Sequence, residues 1–294
     1  MLNRIKELYK NGGNIIQYLK SLNENQAVST EDILISYDFQ AGVYTQRADI
    51  NREVREQYCQ NLANEIGDLG SCESILEVGV GEASTIGNLL TRLKSVPKRI
   101  FGFDLSWSRI MYANKFMDAV SLPESSEVLF CTGDLFNPPF ADSAIDIVYT
   151  SHTLEPNGGM EKEALESLYR ITNKYLIMLE PAYELAHEEA KTRMEKYGYV
   201  TKLYQTAIDL GYDIVKYDLF KPTFKDINPT GIMIIKKGSI GPSKAALACP
   251  ITKTELVELK GALYSENALL AYPILDNIPC LLPSNAIVAS HFMG

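Results

Sequence analysis

Apolar positions along the chain keep two different rhythms. Between residues 46 and 69, Ile50, Val54, Tyr58, Leu62 and Ile66 recur at every fourth place, which sets them on one stripe of a helix, and Gly67 and Gly70 follow to end it. Downstream, short apolar runs alternate with helical patterns. The runs predict strands at 75–80, 99–105, 128–132, 145–151, 175–179, 212–219 and 231–236, and the patterns predict helices at 85–93, 108–119, 162–173 and, longer, 184–210. Repeated strand, helix, strand order implies a parallel sheet with helices on both faces and right-handed crossovers. Only the loop 222–229 separates the last two strands, so they are expected as an antiparallel hairpin at the sheet edge.

The ends of the chain read differently. Residues 1–46 suggest an N-terminal cap or lid: two short amphipathic helices, then the aromatic stretch from Tyr37 through Phe39 to Tyr44, which keeps no period and reads as a loop. Residues 237–244 carry the Gly, Pro and Ser of a linker. A boundary near Gly241 divides the chain into a main domain at 47–240 and a small, mostly β module at 241–294. The expected class is therefore α/β, a seven-stranded Rossmann-like sheet with one antiparallel strand, preceded by helices and followed by that module.

Composition narrows the function only a little. Of 294 residues, 46% are hydrophobic and 22% charged, enough for a large core and against global disorder. The net charge of −9 gives no general attraction for phosphate backbones, so nucleic acid is disfavoured as a partner and a small uncharged or cationic molecule fits better. Cys59, Cys72, Cys131, Cys249 and Cys280 show no paired spacing, which points to a reducing cytoplasm rather than a disulfide framework or a metal site. No secretory signal or membrane-spanning segment is expected, and a homo-oligomer is left open.

The chemistry sits where strands end. The run Ile75-Leu-Glu77-Val-Gly79-Val-Gly81-Glu-Ala83 leads from a strand through glycines into a helix, a turn that lets a ligand approach the backbone beside unpaired N–H groups. Nicotinamide, flavin and nucleotide enzymes share such turns. Glu77 separates the readings: its carboxylate would repel a pyrophosphate but attract the amino group and sulfonium of S-adenosylmethionine. Asp104, closing the next strand with Leu105 behind it, can accept both ribose hydroxyls, whichever adenosine cofactor is bound. Asp134, after the third strand, can accept the adenine amine while Leu135 and Phe136 wall the ring.

Together these segments resemble the class I S-adenosylmethionine-dependent methyltransferases over residues 46–237, with Ala83 standing where the family usually has a third glycine. The resemblance implies that Glu77, Gly79 and Gly81 hold the methionine part, Asp104 and Leu105 the ribose, and Asp134 and Leu135 the adenine. After the fourth strand, Ser151 is expected at the cofactor and His152 is the leading general base, since histidine titrates close to neutrality; a role in fixing the loop is the equal alternative. Glu155, Asn157, Glu180, Tyr183 and His187 are expected to form the acceptor pocket, with Tyr37 and Tyr44 from the N-terminal lid.

Residues 248–283, from Cys249-Pro250 to Tyr272-Pro-Ile and Ile278-Pro279, resemble the small zinc-ribbon-like domain of methyltransferase-activating subunits. The other metal cysteines of that domain are missing, so no structural metal is expected. These readings support a methyltransferase acting on an oxygen or nitrogen of a small molecule, with a sugar or surface-glycan precursor as one suggestion. A transfer RNA or protein methyltransferase and a noncatalytic adenosyl-binding protein are the alternatives.

Overall fold

The computed structural model describes residues 1–22, 29–43, 51–224, 227–238, 241 and 246–292. Three helices open the chain, α1 (Leu2–Lys10), α2 (Ile15–Leu22) and α3 (Thr30–Phe39). Then α4 (Arg52–Asp68) leads to β1 (Ser74–Val78), α5 (Ser84–Leu90), β2 (Arg99–Asp104), α6 (Trp107–Met117), β3 (Glu127–Thr132), β4 (Ile145–Ser151), α7 (Glu161–Ile171) and β5 (Thr172–Pro181). After α8 (Glu188–Tyr197) and α9 (Leu203–Asp209) come β6 (Asp213–Leu219) and β7 (Thr230–Lys236). The seven strands form one sheet in the order β3-β2-β1-β4-β5-β7-β6, parallel except for β7, which runs antiparallel to both β5 and β6.

All seven expected strands form, and the alternation of side chains across the sheet explains why their runs are continuously apolar. On β5, Leu176 and Met178 join the core on one face while Ile177 and Leu179 join the core on the other. Both faces are covered, so both parities are hydrophobic. The largest boundary difference is at β5, which begins at Thr172 rather than 175. Thr172 already has an extended backbone at the end of α7, and the Asn173 amide donates to the buried Asp146 carboxylate at 2.9 Å, so the chain turns from helix into strand without a loop.

Two helical expectations need correction. The long pattern 184–210 is broken into a 3₁₀ turn at Tyr183–Leu185, α8 and α9. His187 caps α8, its Nδ1 accepting from the Ala190 N–H at 3.4 Å, and Gly198 closes it. The intervening chain then crosses β4's loop, where the Val200 N–H donates to the Glu155 carbonyl at 3.1 Å. The aromatic stretch read as a loop is helical as far as Phe39. Ser29 and Asp32 start α3 with a reciprocal capping box, the Ser29 hydroxyl accepting from the Asp32 N–H at 3.1 Å and the Asp32 carboxylate from the Ser29 N–H at 3.0 Å. Its buried side contains Asp32 and Ser36 as well as Ile33, so no apolar stripe marks it.

The N-terminal segment is pinned over the sheet's carboxyl edge. Asp38 accepts from the Ser106 hydroxyl at 2.6 Å and the Ser108 N–H at 3.2 Å, and the Gly42 N–H donates to Glu82 at 2.9 Å.

The tail forms a second, antiparallel sheet from β8 (Val257–Leu259), β9 (Ala262–Ser265), β10 (Leu270–Leu275), β11 (Ile278–Pro279) and β12 (Ile287–Val288). It packs on β3, which is the first strand in the large sheet's order and would otherwise leave a row of unpaired backbone groups. A parallel bridge joins Thr132 to Cys280, and the Leu281 N–H donates to the Thr132 carbonyl at 3.2 Å. Cys249, Leu263, Tyr272 and Leu281 are part of the same buried cluster as Phe103 and Phe140. Among the described residues no helix is long and apolar enough to cross a membrane, and no group of three or more His, Cys, Asp or Glu is placed to hold a metal ion.

Candidate functional site

The carboxyl ends of the parallel strands open into a cavity of 490 Å³. Glu77, one residue from the end of β1, is buried, and its Oε2 accepts the Ile86 N–H at 3.0 Å, inside the first turn of α5. Burial, with a smaller push from the nearby Asp104 charge, raises its carboxyl to about 8 against the pull of that amide. A buried acid held this way becomes a carboxylate most easily when a cation arrives.

The turn after β1 takes positive φ at Gly79 (67°), Gly81 (54°) and Ala83 (58°). At Gly79 a side chain is excluded for a second reason: an added Cβ would lie 2.4 Å from the Thr153 methyl. Thr153 fits there by donating its hydroxyl to the Val78 carbonyl at 2.8 Å, which ties the loop after β4 to the loop after β1.

Asp104 ends β2 with both oxygens engaged by the chain, accepting from the Gly81 N–H at 3.0 Å and the Ser106 N–H at 2.9 Å. Arg109 approaches it at 3.7 Å, and the same guanidinium lies 4.8 Å from the Tyr37 ring centroid. Asp134, after β3, accepts from the Phe136 N–H at 3.0 Å, which folds Leu135 and Phe136 into the cavity wall.

The loop after β4 supplies the fourth part. His152 has a left-handed backbone (φ 54°) and lies in the cavity wall between two partners. Its Nδ1 is 3.1 Å from Glu155 Oε2 and its Nε2 is 2.9 Å from the Thr230 hydroxyl. With Nδ1 protonated toward the carboxylate, Nε2 accepts from Thr230, so both ring nitrogens are engaged by the protein's own side chains. Glu155 also accepts from Asn228 Nδ2 at 3.1 Å, and these donors together with Tyr199 hold its carboxyl below the usual range despite burial.

Of the residues expected at the site, Tyr37, Glu77, Gly79, Gly81, Asp104, Leu105, Asp134, Leu135, Ser151, His152, Glu155 and Asn157 line this one cavity. The hydroxyl of Ser151 is 2.9 Å from that of Tyr58, and the Asn157 amide reaches back to the Thr153 and Leu154 carbonyls at 3.4 Å. Three others do not line it. Glu180 is buried behind the loop, accepting the Thr153 N–H at 3.0 Å, so it supports His152 from below. Tyr183 donates to Glu195 at the surface, and His187 is spent on the cap of α8. Tyr44 lies outside the described residues.

Several lining residues carry no sequence signal. Arg55, Glu82, Arg109, Arg193, Tyr199, Phe224 and Asn228 reach the cavity from α4, the glycine turn, α6, α8 and the loops after α8 and β6.

Comparison with known proteins agrees with this geometry. Residues 76–175 match the methyltransferase domain family, and residues 245–277 match the Trm112p-like protein family. A UPF0434 protein of Pseudomonas paraeruginosa is 57% identical over 42 residues, 14% of this chain and 69% of that protein. Among solved structures, magnesium protoporphyrin IX methyltransferase of Synechocystis PCC 6803, with S-adenosylmethionine bound, aligns with a TM-score of 0.50 at 16% identity, over 72% of this chain and 99% of that one. A chain from the Haloferax volcanii complex between the Trm112 methyltransferase activator and a methyltransferase aligns with a TM-score of 0.50 at 13% identity, over 67% and 97%. At these identities the structures speak for the fold, and the sequence matches for the families. Residues 76–175 therefore form a methyltransferase domain of the S-adenosylmethionine-dependent kind, residues 245–277 are Trm112p-like, and the chain shares a stretch with the UPF0434 proteins.

Proposed function

We propose that this enzyme transfers the methyl group of S-adenosylmethionine to an oxygen or nitrogen of a small molecule, a class that includes sugars and surface-glycan precursors, and releases S-adenosylhomocysteine. One observation carries the reading. Asp134, Asp104, Glu77 and His152 follow the successive strands β3, β2, β1 and β4 into a single cavity. Neighbouring strands are about 4.8 Å apart, so this row covers roughly 14 Å of sheet edge, a span suited to an extended adenosyl donor with an acceptor at its end.

The residues fit the cofactor by their chemistry. Carboxylates gather where a cationic ligand with ribose hydroxyls and an exocyclic amine needs acceptors, and Leu135 and Phe136 supply apolar walls. Asp134 takes the adenine amine, Asp104 the ribose, and Glu77 the amino group beside the open turn at Gly79 and Gly81. Arg55 provides a cation for the carboxylate end. When bound, S-adenosylmethionine supplies a methyl group already activated by its sulfonium. The protein's task is then mainly to align the acceptor and exclude water. His152 keeps Glu155 in place, Glu180 holds the backbone of Thr153 beneath them, and Tyr37 on α3 closes the cavity from the N-terminal side.

The test is transfer of labelled methyl from S-adenosylmethionine into fractions of a cell extract. Label in the small-molecule fraction supports the proposal. Label in transfer RNA or protein would shift the acceptor to a macromolecule, as the Trm112p-like tail alone would favour. Tight cofactor binding with no label in any fraction would make this a noncatalytic binding protein.

A further inference from the structure

Two residues of the cavity wall, Arg193 and Asn228, carry a donor and an acceptor that the protein leaves unmatched. Arg193 lines the cavity from α8; its Nη2 donates to the Tyr199 hydroxyl at 3.3 Å, but its Nη1 is buried with no hydrogen-bond partner. The guanidinium lies 5.0 and 5.2 Å from the ring centroids of Tyr197 and Tyr199 and forms no ion pair among the described residues. Asn228 also lines the cavity. Its Nδ2 donates to Glu155, which fixes the amide's orientation because a carboxylate only accepts, and this leaves its Oδ1 buried without a donor.

Buried polar atoms without partners are costly, and in a binding cavity they record what the ligand must bring. The acid beside them is already satisfied, since Glu155 accepts from His152 and Asn228. Among the described residues no carboxylate forms an ion pair with Arg193.

We propose that the methyl acceptor carries an anionic group, a carboxylate or phosphate, that seats on the Arg193 guanidinium, with an adjacent O–H or N–H that donates to Asn228 Oδ1. The inference rests on the methyltransferase reading for the word acceptor, and it reverses the preference for a neutral or cationic molecule drawn from net charge. A global charge of −9 says little about one end of one cavity. The guanidinium fork matches either anion in a two-point contact, and its aromatic neighbours restrict its motion, so little ordering is needed on binding.

The protein is first loaded with S-adenosylhomocysteine and titrated by calorimetry with malonate, with inorganic phosphate, and with uncharged malonamide. Binding of malonate or phosphate but not malonamide is expected, and whichever of the two anions binds more tightly names the group. Arg193→Met should weaken that anion at least about tenfold while Arg193→Lys keeps part of the affinity, since a point charge replaces a fork. Both variants should bind S-adenosylhomocysteine like the parent protein, which also shows that they are folded. Equal binding of malonate and malonamide, unchanged anion affinity in Arg193→Met, or a loss of S-adenosylhomocysteine affinity in that variant would each overturn the assignment. Failure of the parent protein to bind S-adenosylhomocysteine would instead refute the methyltransferase reading, and the same anion titration on the unloaded protein would still decide whether Arg193 is an anion site.

Discussion

Glu77→Gln isolates the electrostatic core of the donor site, because it removes a charge while keeping the volume and an oxygen for the Ile86 N–H. The carboxyl titrates at about 8 in the unliganded cavity, chiefly because it is buried. At pH 7 it is then about nine-tenths protonated, and ionising it to meet the donor's ammonium costs about 1.4 kcal/mol, the worth of one pH unit. A charge-assisted hydrogen bond returns about 1.5–3 kcal/mol. The net advantage of Glu77 over Gln is therefore close to zero at pH 6, up to about 1.6 kcal/mol at pH 7, and roughly 1–3 kcal/mol by pH 8. Calorimetric titration with S-adenosylhomocysteine should show the ratio of the two affinities climbing from about one at pH 6 to between about fivefold and a hundredfold at pH 8. Near that pH the ligand's own amino group, for which an α-amino reference value is about 7.7–8.0, is already about half deprotonated, so the ratio levels off there. Repeating the measurement at pH 7 in buffers of different ionisation enthalpy should reveal between about half a proton and nearly one released per ligand by the parent protein and fewer by the variant. An affinity ratio that stays flat with pH, or equal proton release, would refute the argument that Glu77 receives the cationic end of the donor.

The same buried acids shape stability. Glu77 and Glu180 are raised by burial to about 8 and about 7, so the folded protein holds these protons more tightly than the unfolded chain. Their contribution is complete below about pH 4.5, the ordinary carboxyl value, and is lost as pH rises through 7 and 8. The melting temperature of the unliganded protein should therefore fall between pH 6 and pH 8.5, with Glu180→Gln flattening part of the fall; a melting temperature that rises over this range would contradict the assignment. Gly158→Ala would place a Cβ 2.5 Å from the carbonyl oxygens of Gly198 and Tyr199 and push the β4 loop away from the segment beside Arg193. Initial-rate kinetics should show a raised acceptor KM, with calorimetric affinity for S-adenosylhomocysteine within about twofold; a loss confined to cofactor affinity would misplace the acceptor end. Leu281→Ala removes a fully buried side chain from the cluster shared by the tail and the large sheet, and should lower unfolding free energy in urea by about 2–4 kcal/mol. A change below about 1 kcal/mol would mean that the tail contributes little to that core.

What could be read beforehand depended on whether a residue's position follows from its own neighbourhood. The strands were legible because a sheet covered on both faces writes unbroken apolar runs, and the three acids because each stands at the end of such a run. The structure brings them to one cavity for the same reason. Arg193, Tyr199 and Asn228 were not legible, since the direction each faces is set by how α8, the loop after it and the loop between β6 and β7 cross the sheet. His187 misled because a histidine that caps a helix looks, in sequence, like one turned toward a site. Helix α3 carries no apolar stripe because the residues it buries include Asp32 and Ser36, and its start is fixed by the Ser29–Asp32 capping box instead. Glu180 was expected to touch substrate, yet its placement at the end of β5 puts it under the His152 loop, a distinction that only the pairing of β4 with β5 reveals.

The central claim is that one cavity aligns the adenosyl donor along the ends of β3, β2 and β1 and points its methyl toward the loop after β4. The most direct measurement is a crystal structure of the protein with S-adenosylhomocysteine. The account predicts the adenine amine on Asp134, the ribose hydroxyls on Asp104, the amino group on Glu77, and the sulfur facing the His152–Glu155 pair. A ligand bound elsewhere, or one lying in the reverse direction with its adenine beside His152, would contradict it.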